Sequence, residues 1–187
     1  MYIYIFLFFI TVRMRNVISM EYGVGSRQVG KNILAFYSKH SPLSNFYMSD
    51  FTVDNLKYNC LEQYLMREKA MLFNDHTMAG RIMTTDSPFY QQAFGRNVKT
   101  FNLKKWRLKA PKFLLRGILA KFSQVPHCSS YLRMTGGMIL VEANSKDDYF
   151  GIGVGLHASE AQLVRQSEWG YNLLGRTLMS VRSRLFF

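Results

Sequence analysis

The sequence predicts an α+β domain in which helices outnumber strands around a small sheet. Two apolar runs have the length and composition of buried strands, ILAFYS at 33–38 and MILVEAN at 138–144. Longer segments repeat apolar residues at helical spacing, most clearly after Pro111 and in the C-terminal NLLGRTLMSVRSRLFF. The chain has no repeat and no linker after residue 32, and its 187 residues are expected to form one domain.

Capping residues place the elements of the first half. The turn after the first strand leads into a second extended piece around 51–53. Asn59 is expected to cap a helix running from Cys60 to about Phe73, and Asp75 to cap a second helix. The second helix is expected to end near Met83.

In the second half, prolines and glycines mark the boundaries. Ser87 stands before a proline and is expected to open a short helix that ends at Gly95. Residues 99–109 are predicted to form a basic loop, and Pro111 to start the clearest amphipathic helix. The glycine-rich GIGVGLH at 151–157 is predicted to be a loop or a bulged strand.

The N-terminal apolar run matches neither a membrane span nor a secretory signal. The run MYIYIFLFFI is ten residues long, whereas a membrane span needs about 20, and it lacks the features of a secretory signal. We therefore expect residues 1–30 to be an extension outside the domain, with a truer start at Met14 or Met20 and a glycine-containing linker before the first strand. A membrane or targeting role for the run is the alternative. The domain is expected to span residues 31–187.

The net charge of +12 is unevenly distributed. The stretch from Ser87 to Val141 contains no acidic residue. Its basic residues are Arg96, Lys99, Lys104, Lys105, Arg107, Lys109, Lys112, Arg116, Lys121 and Arg133. Such a field attracts the phosphates of a nucleotide, a dinucleotide or a nucleic acid. A solvated surface with no specific partner is the alternative.

The cysteines and histidines limit which disulfides and metal sites the chain can form. Cys60 and Cys128 provide no disulfide framework and are expected to be buried thiols in a reducing compartment, the cytoplasm or alternatively the nucleus. The four histidines have no paired ligand spacing, so we predict no metal site.

The helix CLEQYLMREKA places an acid and an amine on one line. At about 100° of rotation per residue, Glu62 and Lys69 lie within about 20° of each other, bracketed by Met66 and Phe73. The structural interpretation is a buried-edge ion pair or a lysine that extends its amine to water. The functional interpretation is a catalytic pair, in which burial raises the proton affinity of Glu62 and Lys69 opposes that change.

A second constellation, EANSKDDYFGIG, follows the predicted strand at 138–144. Glu142, Asp147 and Asp148 are candidate carboxylates, and the glycines permit close approach of backbone to a ligand. The spacing of the acids does not match a calcium loop, and GIGVG lacks the third glycine of a dinucleotide fingerprint.

Taken together, these segments resemble the NADAR domain family of YbiA-like N-glycosidases. FYSKHSPLSNFY is similar to its opening with S-N-F, YNCLEQYLMREKA to its E-[HQ]-Y…K-A helix, and FGRNV to its G-R element. LVEANSKDDYFGIG and WGYNLLGRTLMSVRSRL resemble its last two motifs, and the likeness runs from about Phe36 to Leu185. The family usually has Trp where this chain has Phe150, which keeps a stacking face without the indole donor.

The resemblance implies hydrolysis of N-glycosidic bonds. Family members act on phosphorylated ribosylamino-pyrimidine intermediates of riboflavin synthesis, and relatives remove ADP-ribose from guanine in nucleic acid. It implies catalytic roles for Glu62, Lys69 and Asp147 without a metal or redox cofactor. The residues it implies for substrate binding are Ser44, Asn45, Phe46, Arg96, Phe150, Gly151 and Asn172.

Several alternatives stay open at this point. Glu62 and Asp147 are expected to form the acid/base pair in an unassigned order. Lys69 either maintains the charge pattern or attacks the sugar as an amine to form a Schiff base. The partner is a small ribosyl phosphate or an ADP-ribosylated nucleic acid, with no stable membrane insertion expected. A non-catalytic ADP-ribose or NAD-binding module is the alternative function.

Overall fold

A three-stranded sheet organises the fold. The structure, a computed structural model, describes residues 22–187; the apolar N-terminal run and the alternative starts at Met14 and Met20 lie outside the described residues. Strand β2 (Ile33–Phe36) pairs antiparallel with β1 (Ser26–Val29) and parallel with β5 (Ile139–Glu142). Strands β3 (Phe51–Val53) and β4 (Leu56–Tyr58) form a separate hairpin. The predicted α+β class is confirmed.

Seven α-helices surround these strands within residues 22–187. They are α1 (Leu61–Leu72), α2 (His76–Met83), α3 (Pro88–Arg96), α4 (Leu103–Gln124), α5 (Pro126–Met134), α6 (Glu160–Val164) and α7 (Leu173–Phe186), with a 3₁₀ turn at Gln166–Glu168. No helix in this part of the chain has both the length and the apolar character that crossing a bilayer requires.

The two faces of the sheet bury different groups. Leu34 and Leu140 point into the main core, which helices α1, α4 and α7 complete. Val141 and Ala35 point to the other face, under the segment that contains α6. Because side chains alternate along a strand, Glu142 lies on the same face as Leu140. The end of β5 therefore directs a carboxyl group towards the helical side of the molecule.

Strand β1 lies in the segment that the sequence predicts to be a linker. Only Val29 of this strand is fully buried, so its sequence carries no alternating apolar pattern. It pairs antiparallel with β2, with Val29 opposite Ile33, and Arg27 Nη1 donates hydrogen bonds to the carbonyl oxygens of Leu156 and Ala158. The linker assignment is therefore wrong for Ser26–Val29, which belongs to the sheet.

The start of α4 also differs from the prediction. The helix begins at Leu103, where the Asn102 side chain accepts a hydrogen bond from Lys105 N, so Pro111 lies in the helix interior. The expected loop over residues 99–109 is wrong from Leu103 onwards. A proline cannot donate to the carbonyl four residues earlier, and here that carbonyl, of Arg107, accepts a hydrogen bond from Tyr149 Oη at 2.9 Å.

The remaining boundaries agree with the sequence to within two residues. Helix α1 is capped by Cys60 rather than Asn59, because the Cys60 thiol accepts from Gln63 N. Asp75 caps α2 as predicted, through Met78 N. Both cysteines are buried and free, as expected. Helices α5 and α6, the 3₁₀ turn and strand β4 were not predicted.

Candidate active site

Two loops leave the same edge of the sheet and bracket the candidate site. Strands β2 and β5 are parallel, so the S-N-F segment after β2 and the acidic segment after β5 emerge side by side. Ligands commonly bind outside the carboxyl ends of parallel strands. Helix α1 is joined to the first of these loops, because Glu62 N donates a hydrogen bond of 2.9 Å to the Asn45 carbonyl oxygen.

Glu62 lies in the first turn of α1 and is only 4% exposed. Burial raises the pKa of this carboxyl to about 7; the nearby Gln92 amide and the positive charges of Lys69 and Arg96 act in the opposite direction. The negative charge of Asp147 acts in the same direction as burial, and the value of about 7 is the net result. A carboxyl that titrates near neutrality is suited to transfer a proton in either direction.

Lys69 lies in the last turn of the same helix, and it is 9% exposed. Its Nζ atom lies 4.1 Å from the centre of the Phe101 ring and 5.8 Å from that of Trp106. Burial lowers the pKa of the amine, and the charge of Glu62 opposes that change. Lowering the pKa of a lysine increases the fraction that is an uncharged nucleophile.

Glu62 and Lys69 point to the same side of α1 without touching. Within residues 22–187 the ion pairs join other residues, so these two groups are coupled through space rather than by direct contact. Seven residues of helix advance about 10 Å. The two backbone positions are therefore about two helical turns apart, and the structural interpretation as a buried-edge ion pair is wrong for these two described residues.

Asp147 anchors the loop after β5. Its Oδ1 atom accepts hydrogen bonds from Tyr149 N at 2.9 Å and Phe150 N at 2.8 Å. The carboxyl is half-buried, and its charge acts on both Glu62 and Glu142. A Cβ on Gly151 would lie 2.8 Å from the Glu142 carbonyl oxygen, so glycine is needed for the loop to close onto the end of β5.

Asn172 connects this loop to the sheet. Its backbone N–H donates to the Gly151 carbonyl oxygen, while its side chain accepts from Glu142 N and donates to the Leu140 carbonyl oxygen. The residue adopts a left-handed conformation with φ of 54° at the start of α7. Because its amide is engaged on both sides with backbone, Asn172 positions the end of β5 that carries Glu142.

A buried lysine holds the S-N-F segment. Lys121 of α4 is 0% exposed, and its Nζ donates to the carbonyl oxygens of Pro42 at 2.9 Å and Ser44 at 3.0 Å. Burial lowers the pKa of this amine to about 8. The sequence analysis counted Lys121 in the basic field, but its amine is buried and does not contribute to an exposed charge.

The S-N-F segment presents one unsatisfied atom. Asn45 is buried, and its Oδ1 has no hydrogen-bond partner within the described chain. Ser44 Oγ accepts from Phe46 N, and the Phe46 side chain is half-buried. An unpaired buried acceptor costs about 1–3 kcal/mol, and a donor such as a hydroxyl would remove that cost.

The other two predicted binding residues lie at the rim. Arg96 ends α3 and is exposed, with its charge acting on both Glu62 and Lys69. Phe150 is half-buried beside the core that contains Trp106. Its ring packs at a right angle to Tyr149, at 5.3 Å between centres.

Sequence reasoning missed two contributors and undervalued a third. Gln92, on α3, approaches the Glu62 carboxyl, and Phe101 covers Lys69. Glu142 was a candidate carboxylate but was not placed in the site. Gln92 lies one helical turn before Arg96 and therefore on the same side of α3, which was the only sequence signal for its role. No local pattern in the sequence indicated a role for Phe101.

The comparisons with known proteins decide the family. A family model described as the NADAR domain matches residues 35–186. The chain belongs to the NADAR domain family. The YbiA protein of E. coli is a structural neighbour of this NADAR domain, with a TM-score of 0.67 and 26% identity over 88% of this chain and 90% of that one.

Curated relatives of this NADAR domain include proteins with assigned activities. The chain is 36% identical over 127 residues to a protein named N-glycosidase from Acanthamoeba polyphaga mimivirus, covering 67% of this chain and 74% of the relative. A protein named N-glycosidase from Nostoc punctiforme is 27% identical over 80% of this chain and 90% of its own. The protein irg-1 of Caenorhabditis elegans is 35% identical over 83% and 81%, respectively.

Proposed function

We propose that this NADAR domain is a hydrolase that cleaves the N-glycosidic bond between a base and a phosphorylated ribose. Two classes of substrate fit the proposal, a free ribosylamino-pyrimidine intermediate of riboflavin synthesis and an ADP-ribosylated guanine in nucleic acid. Membership of the family and the two relatives named N-glycosidase support the reaction.

The observation that carries the proposal is the alignment of Glu62 and Lys69 on one buried side of α1. Breaking the bond at the anomeric carbon develops positive charge on the sugar and negative charge on the departing base. A carboxylate beside the sugar stabilises the first charge, and a proton donor relieves the second. Glu62 lies within the electrostatic reach of Asp147, Lys69 and Arg96, so both kinds of group are present.

The remaining residues take binding roles in this proposal. Asn45 Oδ1, unpaired and buried, accepts a hydroxyl of the ribose. Arg96, exposed at the end of α3, binds the phosphate, and Phe150 stacks on the base. Lys69 either stabilises negative charge or attacks the anomeric carbon and, after ring opening, holds the sugar as a Schiff base.

A mass-spectrometric screen for released bases and ribose phosphates tests the reaction. The wild-type protein, Glu62→Gln and Asp147→Asn are incubated with a phosphoribosyl aminopyrimidine, ADP-ribosylated DNA and NAD. We expect wild-type release from at least one substrate and a loss of about 10²-fold or more in each variant. Glu68→Gln is the matched control, because Glu68 lies on the same helix but pairs with Arg67. Wild-type activity in both variants would remove Glu62 and Asp147 from the mechanism.

Borohydride trapping separates the two roles of Lys69. Reduction during turnover leaves a stable sugar adduct on the lysine if a Schiff base forms, and tandem mass spectrometry locates it. A turnover-competent protein without an adduct leaves the electrostatic role. Tight binding of ADP-ribose by calorimetry with no product over hours would instead identify a non-catalytic binding module.

A further inference from the structure

A third carboxyl group lies at the proposed site. Glu142 ends strand β5 on the face that carries Leu140, and its backbone N–H is fixed by Asn172 Oδ1 at 3.1 Å. Its Oε2 atom is buried and has no hydrogen-bond partner among residues 22–187. A buried carboxyl oxygen without a partner is costly when ionised, and a ligand that accepts or donates a hydrogen bond removes the cost.

The charges that face Glu142 favour its protonated form. Burial, together with the negative charges of Asp147 on the following loop and Glu62 on α1, raises the pKa of Glu142 to about 8. The cations of the site, Lys69 and Arg96, act on Glu62 instead. Glu142 is therefore favoured in its protonated form, while the nearby cations favour ionisation of Glu62, an arrangement typical of a divided acid and base.

N-glycosides differ in whether their departing base needs a proton. In a nicotinamide riboside the ring nitrogen is positively charged, so it takes the bonding electron pair and leaves as a neutral base. In an aminopyrimidine or guanine riboside the nitrogen is neutral, so the base leaves as an anion unless an acid protonates it. A dedicated proton donor therefore benefits only the neutral class.

We propose that Glu142 is the acid that protonates the departing base, and that the substrates are neutral N-glycosides rather than nicotinamide nucleotides. This inference rests on the proposed N-glycosidase function and assigns its acid. As the C1′–N bond breaks, its electron pair goes to nitrogen, which takes the Glu142 proton. Water bonds to C1′ and gives its proton to the carboxylate of Glu62 or Asp147. One water is consumed, and solvent exchange returns Glu142 to its acid form.

The wild-type pH dependence on two substrates tests this assignment without a variant. The probes are a phosphoribosyl aminopyrimidine, which is neutral at the glycosidic nitrogen, and nicotinamide mononucleotide, which is cationic there. We expect kcat for the neutral probe to fall as pH rises above about 8, the pKa of Glu142. We expect slower cleavage of the cationic probe with no decline over the same range. Undiminished kcat for the neutral probe up to pH 10 would overturn the assignment.

The variant Glu142→Gln keeps the size of the side chain and removes the transferable proton. We expect kcat for the neutral probe to fall by about 10²–10⁴-fold and its alkaline decline to disappear, with the cationic probe changed by less than about 3-fold. Glu160→Gln is the control, since Glu160 is an exposed acid on α6 that contacts Gly30 N.

The outcomes test the role of Glu142 separately from the proposed N-glycosidase function. Equal losses on both probes would make Glu142 a structural residue, and wild-type kcat on the neutral probe would exclude it as the acid. A wild-type preference for nicotinamide mononucleotide would overturn the substrate class while leaving an N-glycosidase. Cleavage of no N-glycoside by the wild-type protein would overturn the proposed function, and this inference with it.

Discussion

The hydroxyl of Tyr149 donates a 2.9 Å hydrogen bond to the carbonyl oxygen of Arg107, the acceptor that Pro111 leaves free within α4. The proline that interrupts the helical ladder thus provides the attachment point of the loop that carries Asp147. The attachment is reinforced by stacking, because the Arg107 guanidinium lies 4.8 Å from the centre of the Tyr149 ring, and Tyr149 stacks on Tyr171.

Tyr149→Phe tests this attachment. It removes one hydrogen bond and keeps the stacked rings, so we expect a loss of stability of about 1 kcal/mol in urea unfolding. Because Asp147 is held by Tyr149 N, we expect a larger relative loss in kcat/KM, about 10-fold. Tyr37→Phe, which changes an exposed tyrosine after β2, is the control. Unchanged kcat/KM in Tyr149→Phe would show that the loop is held without Arg107.

Lys121→Met tests the support of the S-N-F segment. The apolar side chain fits a buried position but leaves the carbonyl oxygens of Pro42 and Ser44 without their donor. We expect kcat/KM to fall by about 10–100-fold because Asn45 and the start of α1 lose their fixed position. The far-UV circular dichroism spectrum, which reports helix content, should stay unchanged. Lys112→Met, at an exposed position of the same helix, should retain wild-type kcat/KM.

The same variant should change how stability depends on pH. The folded pKa of Lys121 is about 8, below its usual 10.5, so between these values the unfolded chain binds more protons than the folded one. Stability attributable to this group therefore rises with pH from about 8 to 10.5 and is lost as pH falls through 8. Urea unfolding of Lys121→Met across this range should lack that rise. A rise equal to that of the wild type would assign it to another group.

Glu62 should influence stability in the opposite direction. Its folded pKa of about 7 lies above the usual 4.5, so the folded state binds more protons between these values and stability falls as pH rises through the window. Glu62→Gln should abolish this fall. At pH 7 its free energy of unfolding should exceed that of the wild type by on the order of 3 kcal/mol, since each pKa unit is worth about 1.4 kcal/mol. Glu68→Gln should show the wild-type dependence of unfolding free energy on pH. The same dependence in all three proteins would show that folding does not raise the pKa of Glu62.

The sequence was sufficient for elements whose stabilising contacts are local. Helix α1 could be placed because its apolar spacing and capping signals lie within fifteen residues, and the alignment of Glu62 with Lys69 follows from helical geometry. The start of α4 could not be placed. Pro111 looks like a first helical residue, and the Tyr149 hydroxyl that satisfies the freed carbonyl lies far along the chain.

The site was predictable only where residue type itself signals chemistry. Glu142 and Lys121 have the same sequence character as solvated charges, and folding alone reveals that one has a buried, unpaired oxygen and the other a buried amine. Strand β1 was missed for a related reason, since three of its four residues are only half-buried and Arg27 reaches carbonyl groups far along the chain. Long-range contacts of this kind leave no periodic signal in the sequence.

The basic surface of α4 offers a test of whether the substrate is a polymer. Lys104 and Lys109 are exposed, and Lys104 lies in the first turn, where the helix dipole disfavours a positive charge. If ADP-ribosylated DNA is the substrate, we expect Lys104→Gln/Lys109→Gln to weaken its binding and to reduce the slope of log affinity against log salt by about 1–2. Stability should be unchanged or slightly higher. Lys31→Gln/Lys39→Gln, at exposed positions flanking β2, is the control for net charge. Equal salt slopes in the two double variants would show that Lys104 and Lys109 make no specific contact with the DNA. If both double variants keep the wild-type KM for the phosphoribosyl aminopyrimidine, this smaller substrate does not contact the basic field.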